Sequence, residues 1–258
     1  MRAFEHGRFC WHDLATNDLE DARRFYGALF GWTAEARPLD GGRSYTVFSD
    51  AETEVAGAYS AGPECGDVPP HWTCYVAVDD VDAAIERAAG LGGRTCFGPV
   101  DAHDIGRMAA ILDPTGAAIA LWTERRRPGA PIPAPRPGRF CWDELATREI
   151  DLARRFYGEL LGWNAVEREM PGGRYTVFTR GDEMRAGAIS MTEAWADAPP
   201  HWMPYVMVAD CDETARAAAR HGGVIRVPPT DIPPIGRFAV LSDPAGAVFS
   251  VITFSEQD

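Results

Sequence analysis

The sequence predicts an α+β protein made of two tandem copies of one domain, each copy carrying a βαβββ unit twice. One observation is an internal repeat: Gly7-Arg8-Phe9-Cys10-Trp11 returns as Gly138-Arg139-Phe140-Cys141-Trp142, an offset of 131. The other lies within each copy, where short strand-like runs alternate with single stretches of helical period.

The repeat continues along the chain. Arg23-Arg24-Phe25-Tyr26-Gly27 returns at Arg154 to Gly158, and Gly31-Trp32 at Gly162-Trp163. After Arg43 the second copy loses one residue. Pro69-Pro70-His71-Trp72 then matches Pro199 to Trp202, Gly106-Arg107 matches Gly236-Arg237, and Asp113-Pro114 matches Asp243-Pro244. Five prolines fall between Arg125 and Pro137, where locked φ angles and missing donors predict an extended, semi-rigid spacer. The expected division is therefore a first domain at 1–124, a linker at 125–137 and a second domain at 138–258.

In the first copy, residues 8–16 read as a strand ending at Asn17-Asp18, a helix cap. Leu19, Ala22, Phe25, Tyr26 and Leu29 follow at helical spacing until Gly31 stops the helix. Strands are expected at 32–37, 44–49 and 55–60. His71 to Val78 reads as the next strand and Asp80 to Gly92 as an alanine-rich helix. Strands near 94–97, 106–112 and 117–123 complete the copy, with the Asp113-Pro114-Thr115-Gly116 turn before the last.

Composition narrows the function classes. The net charge of -13 argues against binding a phosphate backbone or an anionic membrane surface. No run of apolar residues is long enough for a membrane span, and the first residues lack the apolar region of a secretory signal. A cytoplasmic protein, monomer or homodimer, is expected. All 25 basic residues are arginine, which excludes lysine nucleophiles and Schiff-base chemistry. Cys10, Cys65, Cys74, Cys96, Cys141 and Cys211 form no CxxC pair, so reduced and mostly buried thiols are expected. No glycine-rich dinucleotide fingerprint is present, and no cofactor is implied.

The run from Trp11 through Asp18 to Phe25-Tyr26 and Gly31-Trp32, then Val78-Asp79-Asp80-Val81-Asp82 and Asp113-Pro114-Thr115-Gly116, resembles the vicinal oxygen chelate superfamily. This group includes glyoxalase I, extradiol dioxygenases and bleomycin-resistance proteins. More narrowly, the chain is similar to two-domain glyoxalase-like proteins of mycobacteria and streptomycetes labelled hydroxylases or a 27 kDa antigen. The resemblance covers nearly the whole chain outside the linker. It implies two tandem domains, each a pair of βαβββ modules forming a sheet-lined cup that holds a divalent metal. The family pattern sets the first ligand seven residues before the helix-opening aspartate, which is Trp11 here and Trp142 in the second copy. The fifth-strand ligand falls on Thr73 and Met203, and the eighth-strand glutamate on Ala120 and Ser250. The fourth strands, Gly57 to Ser60 and Gly187 to Ser190, hold no carboxylate or histidine. No metal is therefore expected. His12 becomes a candidate only through a one-residue slip, which turns a strand side chain to the opposite face.

Alternation assigns the cup lining. Trp11, Asp13, His71, Thr73, Tyr75 and Trp122 share it in the first copy, and Trp142, Glu144, His201, Met203, Tyr205 and Met207 in the second. Aromatic walls with a few polar groups suit a flat hydrophobic ligand such as an aromatic polyketide. The candidate catalytic residues are Asp13, His71, Tyr75, Glu144, His201 and Tyr205; Trp11, Thr73, Arg107, Trp122, Trp142, Met203, Met207 and Arg237 are candidate ligand-binding residues. Several have structural readings as well. The two indoles could plug solid cores, His71 and His201 could anchor strand entries, and Arg107 and Arg237 could form solvated salt bridges. Asp113 and Asp243 are read as turn residues only. Three functions stay open: a metal-free enzyme using acid–base chemistry on a hydrophobic small molecule, a sequestering protein without turnover, and, disfavoured by the ligand positions, a metal-dependent glyoxalase or dioxygenase.

Overall fold

The computed structural model describes residues 4–39, 44–51, 53–61, 68–126, 134–170, 173–196 and 198–255. Cys65 and most of the proline-rich linker lie outside the described residues. The first copy runs β1 (Phe9–Thr16), α1 (Leu19–Phe30), β2 (Thr33–Pro38), β3 (Ser44–Ser49), β4 (Glu54–Ser60), β5 (His71–Ala77), α2 (Val81–Gly90), β6 (Arg94–Ala102), β7 (Gly106–Leu112) and β8 (Ala118–Glu124). The second runs β9 (Phe140–Thr147), α3 (Ile150–Leu161), β10 (Asn164–Met170), β11 (Gly173–Arg180), β12 (Glu183–Ser190), β13 (His201–Met207), α4 (Cys211–Arg220), β14 (Val224–Ile232), β15 (Gly236–Ser242) and β16 (Val248–Phe254). The fold is α+β, and the βαβββ unit occurs four times. Each copy contributes one eight-stranded mixed sheet, in the orders β2-β3-β4-β1-β5-β8-β7-β6 and β10-β11-β12-β9-β13-β16-β15-β14.

Local chemistry sets the helix ends. Asp18 caps α1, its carboxylate accepting the Asp21 N–H at 2.8 Å, and Gly31 ends the helix at φ 70°. Left-handed backbone of this kind suits glycine, which has no Cβ to clash. Asp80 and Asp210 cap α2 and α4 in the same way, whereas Glu149 makes no side-chain cap bond at α3. The sequence placed the strand after α2 at 94–97; β6 instead reaches Ala102, across Gly98-Pro99. Its register shifts at Phe97 on both sides. Because β6 is the outermost strand of its sheet, the missing Pro99 donor breaks no inner ladder.

The chain packs as two compact units, each drawing on both copies. One comprises Met1–Cys10, Cys74–Pro133 and Trp142–Met203; the other comprises Trp11–Thr73, Ala134–Cys141 and Pro204–Asp258. In the first unit Val76, Ile111, Ile119 and Leu121 share a core with Leu145, Phe156, Leu161 and Phe178. In the second, Leu14, Phe25 and Phe48 pack with Leu241, Phe249 and Val251. The duplicated copies therefore do not each bury their own core; within each unit a half of one copy closes on a half of the other.

One buried lock recurs in both units. Tyr26 donates from its hydroxyl to Asp243 Oδ2 at 3.0 Å and accepts the Trp72 indole N–H at 3.0 Å. Tyr157 donates to Asp113 at 2.8 Å and accepts the Trp202 N–H at 2.8 Å. This corrects the reading of Asp113 and Asp243 as turn residues only. Asp243 Oδ1 does hold the turn by accepting Gly246 and Ala247 N–H groups, while Oδ2 receives a tyrosine from the other copy. Aspartate serves both tasks because its two oxygens are separate acceptors.

Candidate functional site

Two half-cups, one in each unit, carry the same three-residue network. In β1 the alternation turns Leu14 into the core, fully buried, and Trp11 and Asp13 to the opposite face. The Trp11 N–H lies 2.9 Å from Asp13 Oδ1 and 2.9 Å from the Tyr45 hydroxyl. Tyr45, from β3, donates to Asp13 Oδ1 at 2.6 Å. The network fits because Gly57 on β4 stands directly beside Asp13. A Cβ at Gly57 would lie 1.8 Å from the Tyr45 oxygen and 2.2 Å from Asp13 Oδ1.

The second copy repeats the design with a longer acid. The Trp142 indole donates to the Tyr175 hydroxyl at 2.9 Å, and Tyr175 is hydrogen-bonded to Glu144. Gly187 stands beside Glu144 in register, and a Cβ there would lie 1.7 Å from the Tyr175 oxygen. Burial, joined by the charge of Asp13, holds the Tyr45 phenol well above the usual tyrosine range; burial and Glu144 do the same for Tyr175. Both phenols stay protonated, as donors, at any ordinary pH. The carboxylate is an acceptor in each trio, and a phenol donates to it.

The remaining sequence candidates fall in several places. His71 and His201 hold Nδ1 at 2.8 Å from the carbonyls of Pro69 and Pro199. Facing a carbonyl, Nδ1 is the donor, so in the neutral ring the lone pair lies on Nε2. Tyr75 and Tyr205 are buried, and their backbone carbonyls accept the thiols of Cys10 and Cys141 at 3.5 Å. Thr73 and Met207 are half-buried and Met203 is buried. Trp122 donates to Glu124 at 3.1 Å. Arg107 does not join the aromatic network: its guanidinium bridges Asp82 at 2.7 Å and Asp101 at 3.0 Å. Arg237 likewise bridges Asp212 at 2.6 Å and Asp231 at 2.7 Å. Of the thiols, Cys74 and Cys211 are buried and Cys96 is exposed; all the described ones are unbridged. His12 lies off the cup face, buried and stacked on Phe140 with ring centroids 3.8 Å apart.

Tyr45 and Tyr175, with their glycine partners, are the site residues that the sequence reading missed. The signal was present. Tyr-Thr-Val-Phe recurs unchanged at 45–48 and 175–178, and a glycine recurs on the facing strand. The positions where the resemblance puts metal ligands carry Trp11, Thr73, Ala120, Trp142, Met203 and Ser250, none of them a histidine or a carboxylate.

Two tandem sheets of this strand order, each made of paired βαβββ modules, define the vicinal oxygen chelate class. The model of the Glyoxalase/Bleomycin resistance protein/Dioxygenase superfamily matches residues 8–121 and 139–251, and the chain belongs to that superfamily. It is 40% identical over 247 residues to "Putative glyoxylase CFP32" of Mycobacterium tuberculosis, covering 94% of this chain and 93% of that protein. It is 37% identical over 268 residues to the "Anthracycline biosynthesis protein DnrV" of Streptomyces peucetius, covering 99% and 96%. Among solved structures, the 2,3-dioxygenase LapB of Pseudomonas sp. KL28 superposes with a TM-score of 0.64 at 16% identity, covering 97% of this chain and 93% of that one. The Mn(II)-bound glyoxalase of Novosphingobium aromaticivorans gives 0.64 at 16%, covering 98% and 84%. At such identity these two structures speak for the fold. No helix among the described residues is long and apolar enough to cross a membrane.

Proposed function

We propose that this protein binds a flat, hydrophobic aromatic molecule in its sheet-lined cups without a metal ion, and transforms it by acid–base chemistry. The observation that carries this reading is the indole–carboxylate–phenol network at the family's first ligand position, built twice with a facing glycine. In each network an indole hydrogen-bonded through its N–H is fixed as a stacking wall. Asp13 or Glu144 is the proton acceptor, and a protonated phenol stands beside it. His71 and His201, with Nε2 as the lone-pair nitrogen, are the second base in each copy. The name of the Streptomyces peucetius relative, from anthracycline biosynthesis, supports a fused-ring aromatic ligand.

The test has two parts. Protein purified without chelators is assayed for metal by mass spectrometry, and titrated with 9,10-anthraquinone-2-sulfonate while tryptophan fluorescence is followed. Substoichiometric metal with saturable quenching is expected; an ion at one or more per chain, or absence of quenching, would overturn the reading. Sequestration without turnover is the second reading, favoured by the commitment of Asp13 Oδ1 to two donors. Asp13→Asn and Glu144→Gln separate the two: loss of product formation with retained binding supports catalysis, and a wild type that binds but never turns over supports sequestration.

A further inference from the structure

One polar difference between the copies lies on the eighth strand of each sheet, where Ser250 stands in place of Ala120. Ser250, at the centre of β16, is 0% exposed, and its hydroxyl has no hydrogen-bond partner among the described residues. Alternation fixes where it points. Phe249 and Val251 on either side belong to the apolar core, so Ser250 and Ile252 face the other way. Tyr205 is its neighbour on β13 and the half-buried Val240 its neighbour on β15. In the first copy the equivalent strand pair sets Tyr75 beside Ala120, which has no polar atom to satisfy.

A buried hydroxyl without a partner destabilises a fold, since water has been taken from it and nothing returned. Alanine fits the same place in the first copy. The serine is therefore a cost in the unliganded protein that a ligand oxygen would remove. We propose that Ser250 is a specificity-determining residue on the β13, β16 and β15 face, donating a hydrogen bond to a carbonyl or phenolic oxygen of an oxygenated aromatic ligand. This rests on the aromatic-ligand reading above and adds which copy selects for oxygen. Met207, half-buried, unbranched and two residues beyond Tyr205, borders this place on the same face, beside Ile252. The first cup has Ala77 at that place. At this place the β13, β16 and β15 face carries a hydroxyl that the matching β5, β8 and β7 face lacks.

A matched pair of soluble probes tests this: 9,10-anthraquinone-2-sulfonate and anthracene-2-sulfonate, which differ by two ring oxygens. Calorimetric titration of the full chain compares wild type, Ser250→Ala and Ala120→Ser. Ser250→Ala is expected to weaken the quinone about 3- to 10-fold, the worth of one hydrogen bond, and to leave anthracene-2-sulfonate unchanged. Its melting temperature should equal or exceed that of wild type, because an unpaired hydroxyl is removed. Ala120→Ser should strengthen the quinone and not the hydrocarbon. Equal quinone affinity in wild type and Ser250→Ala overturns the role of Ser250 while the aromatic reading stands. A lower melting temperature for Ser250→Ala would show a structural partner, and also overturns it. A wild type that binds neither probe overturns both.

Discussion

Tyr26→Phe removes one oxygen from a fully buried polar group, and the structure shows what that oxygen holds. Two partners lose it. The Trp72 N–H, 3.0 Å away and buried, has its acceptor taken, which costs about 1–3 kcal/mol. The Asp243 carboxylate loses the donor to Oδ2, a charge-assisted bond worth about 1.5–3 kcal/mol. The sum, roughly 2.5–6 kcal/mol, is a large part of the about 5–15 kcal/mol that holds such a protein folded. A pH dependence must accompany the loss. Burial raises the Asp243 pKa above its usual 3.8, while the Tyr26 hydroxyl and backbone N–H groups pull it down. A carboxyl whose folded-state pKa is raised destabilises the fold progressively as pH rises from the unfolded value through the folded one. Without Tyr26 the folded value climbs further. The penalty of Tyr26→Phe is therefore fully present above the folded pKa and shrinks as pH falls through it. Urea unfolding followed by tryptophan fluorescence, at pH 7.5 and again near pH 4.5, measures both quantities. A loss under about 1 kcal/mol, or one equal at the two pH values, would refute the assigned hydrogen bonds.

Two further substitutions probe the half-cup and the helix ends. Gly57→Ala should displace Tyr45 from Asp13, costing roughly 1–3 kcal/mol through overpacking and weakening aromatic binding in the first copy; unchanged fluorescence titration and unfolding would show that the contact is slack. Asp18→Ala should cost about 1 kcal/mol by removing the α1 cap, whereas Glu149→Ala should be close to neutral because α3 has no such bond. Equal losses in urea midpoint for the two would count against the capping assignment.

What the sequence made legible follows from periodicity. Helix α1 was expected to start at Leu19 and stop at Gly31, and strands at 44–49 and 106–112 were placed as found, since alternation and capping are local codes. The strand after α2 was read too short because Gly-Pro is a strong breaker signal; only its place at the sheet edge, a property of the whole fold, makes the proline harmless. Similarly, Trp11 and Asp13 could be paired from β1 alone. Tyr45 could not be joined to them, because that contact depends on the register of β3, β4 and β1 together. The Asp-Pro turns were read for their local hydrogen bonds, and the tyrosine on the second oxygen arrives from the other copy, 217 residues away at Asp243 and 44 at Asp113.

The least legible feature is which halves share a core, and it leads to the last prediction. A duplicated sequence gives each half two nearly identical partners to choose from, so the pattern of apolar faces fits closure within a copy as well as closure between copies. The structure chooses the second: Phe156 and Phe178 pack with Ile111 and Leu121, and Tyr26 reaches Asp243. Residues 1–126 alone would thus lose the partners of Phe25, Phe48 and Leu14 and of Ile111, Ile119 and Leu121, apolar side chains that are fully buried in the chain. Exposed faces of that size drive association. The copies keep Phe-Tyr, His-Trp and Asp-Pro at equivalent places, so a second molecule of the same fragment supplies every element of the lock. The isolated first copy should therefore form a homodimer through its own Tyr26, Trp72 and Asp113. Light scattering after gel filtration would show twice the fragment mass, and Tyr26→Phe in the fragment should lower that association. A stable, folded monomer of residues 1–126 would refute the crosswise core.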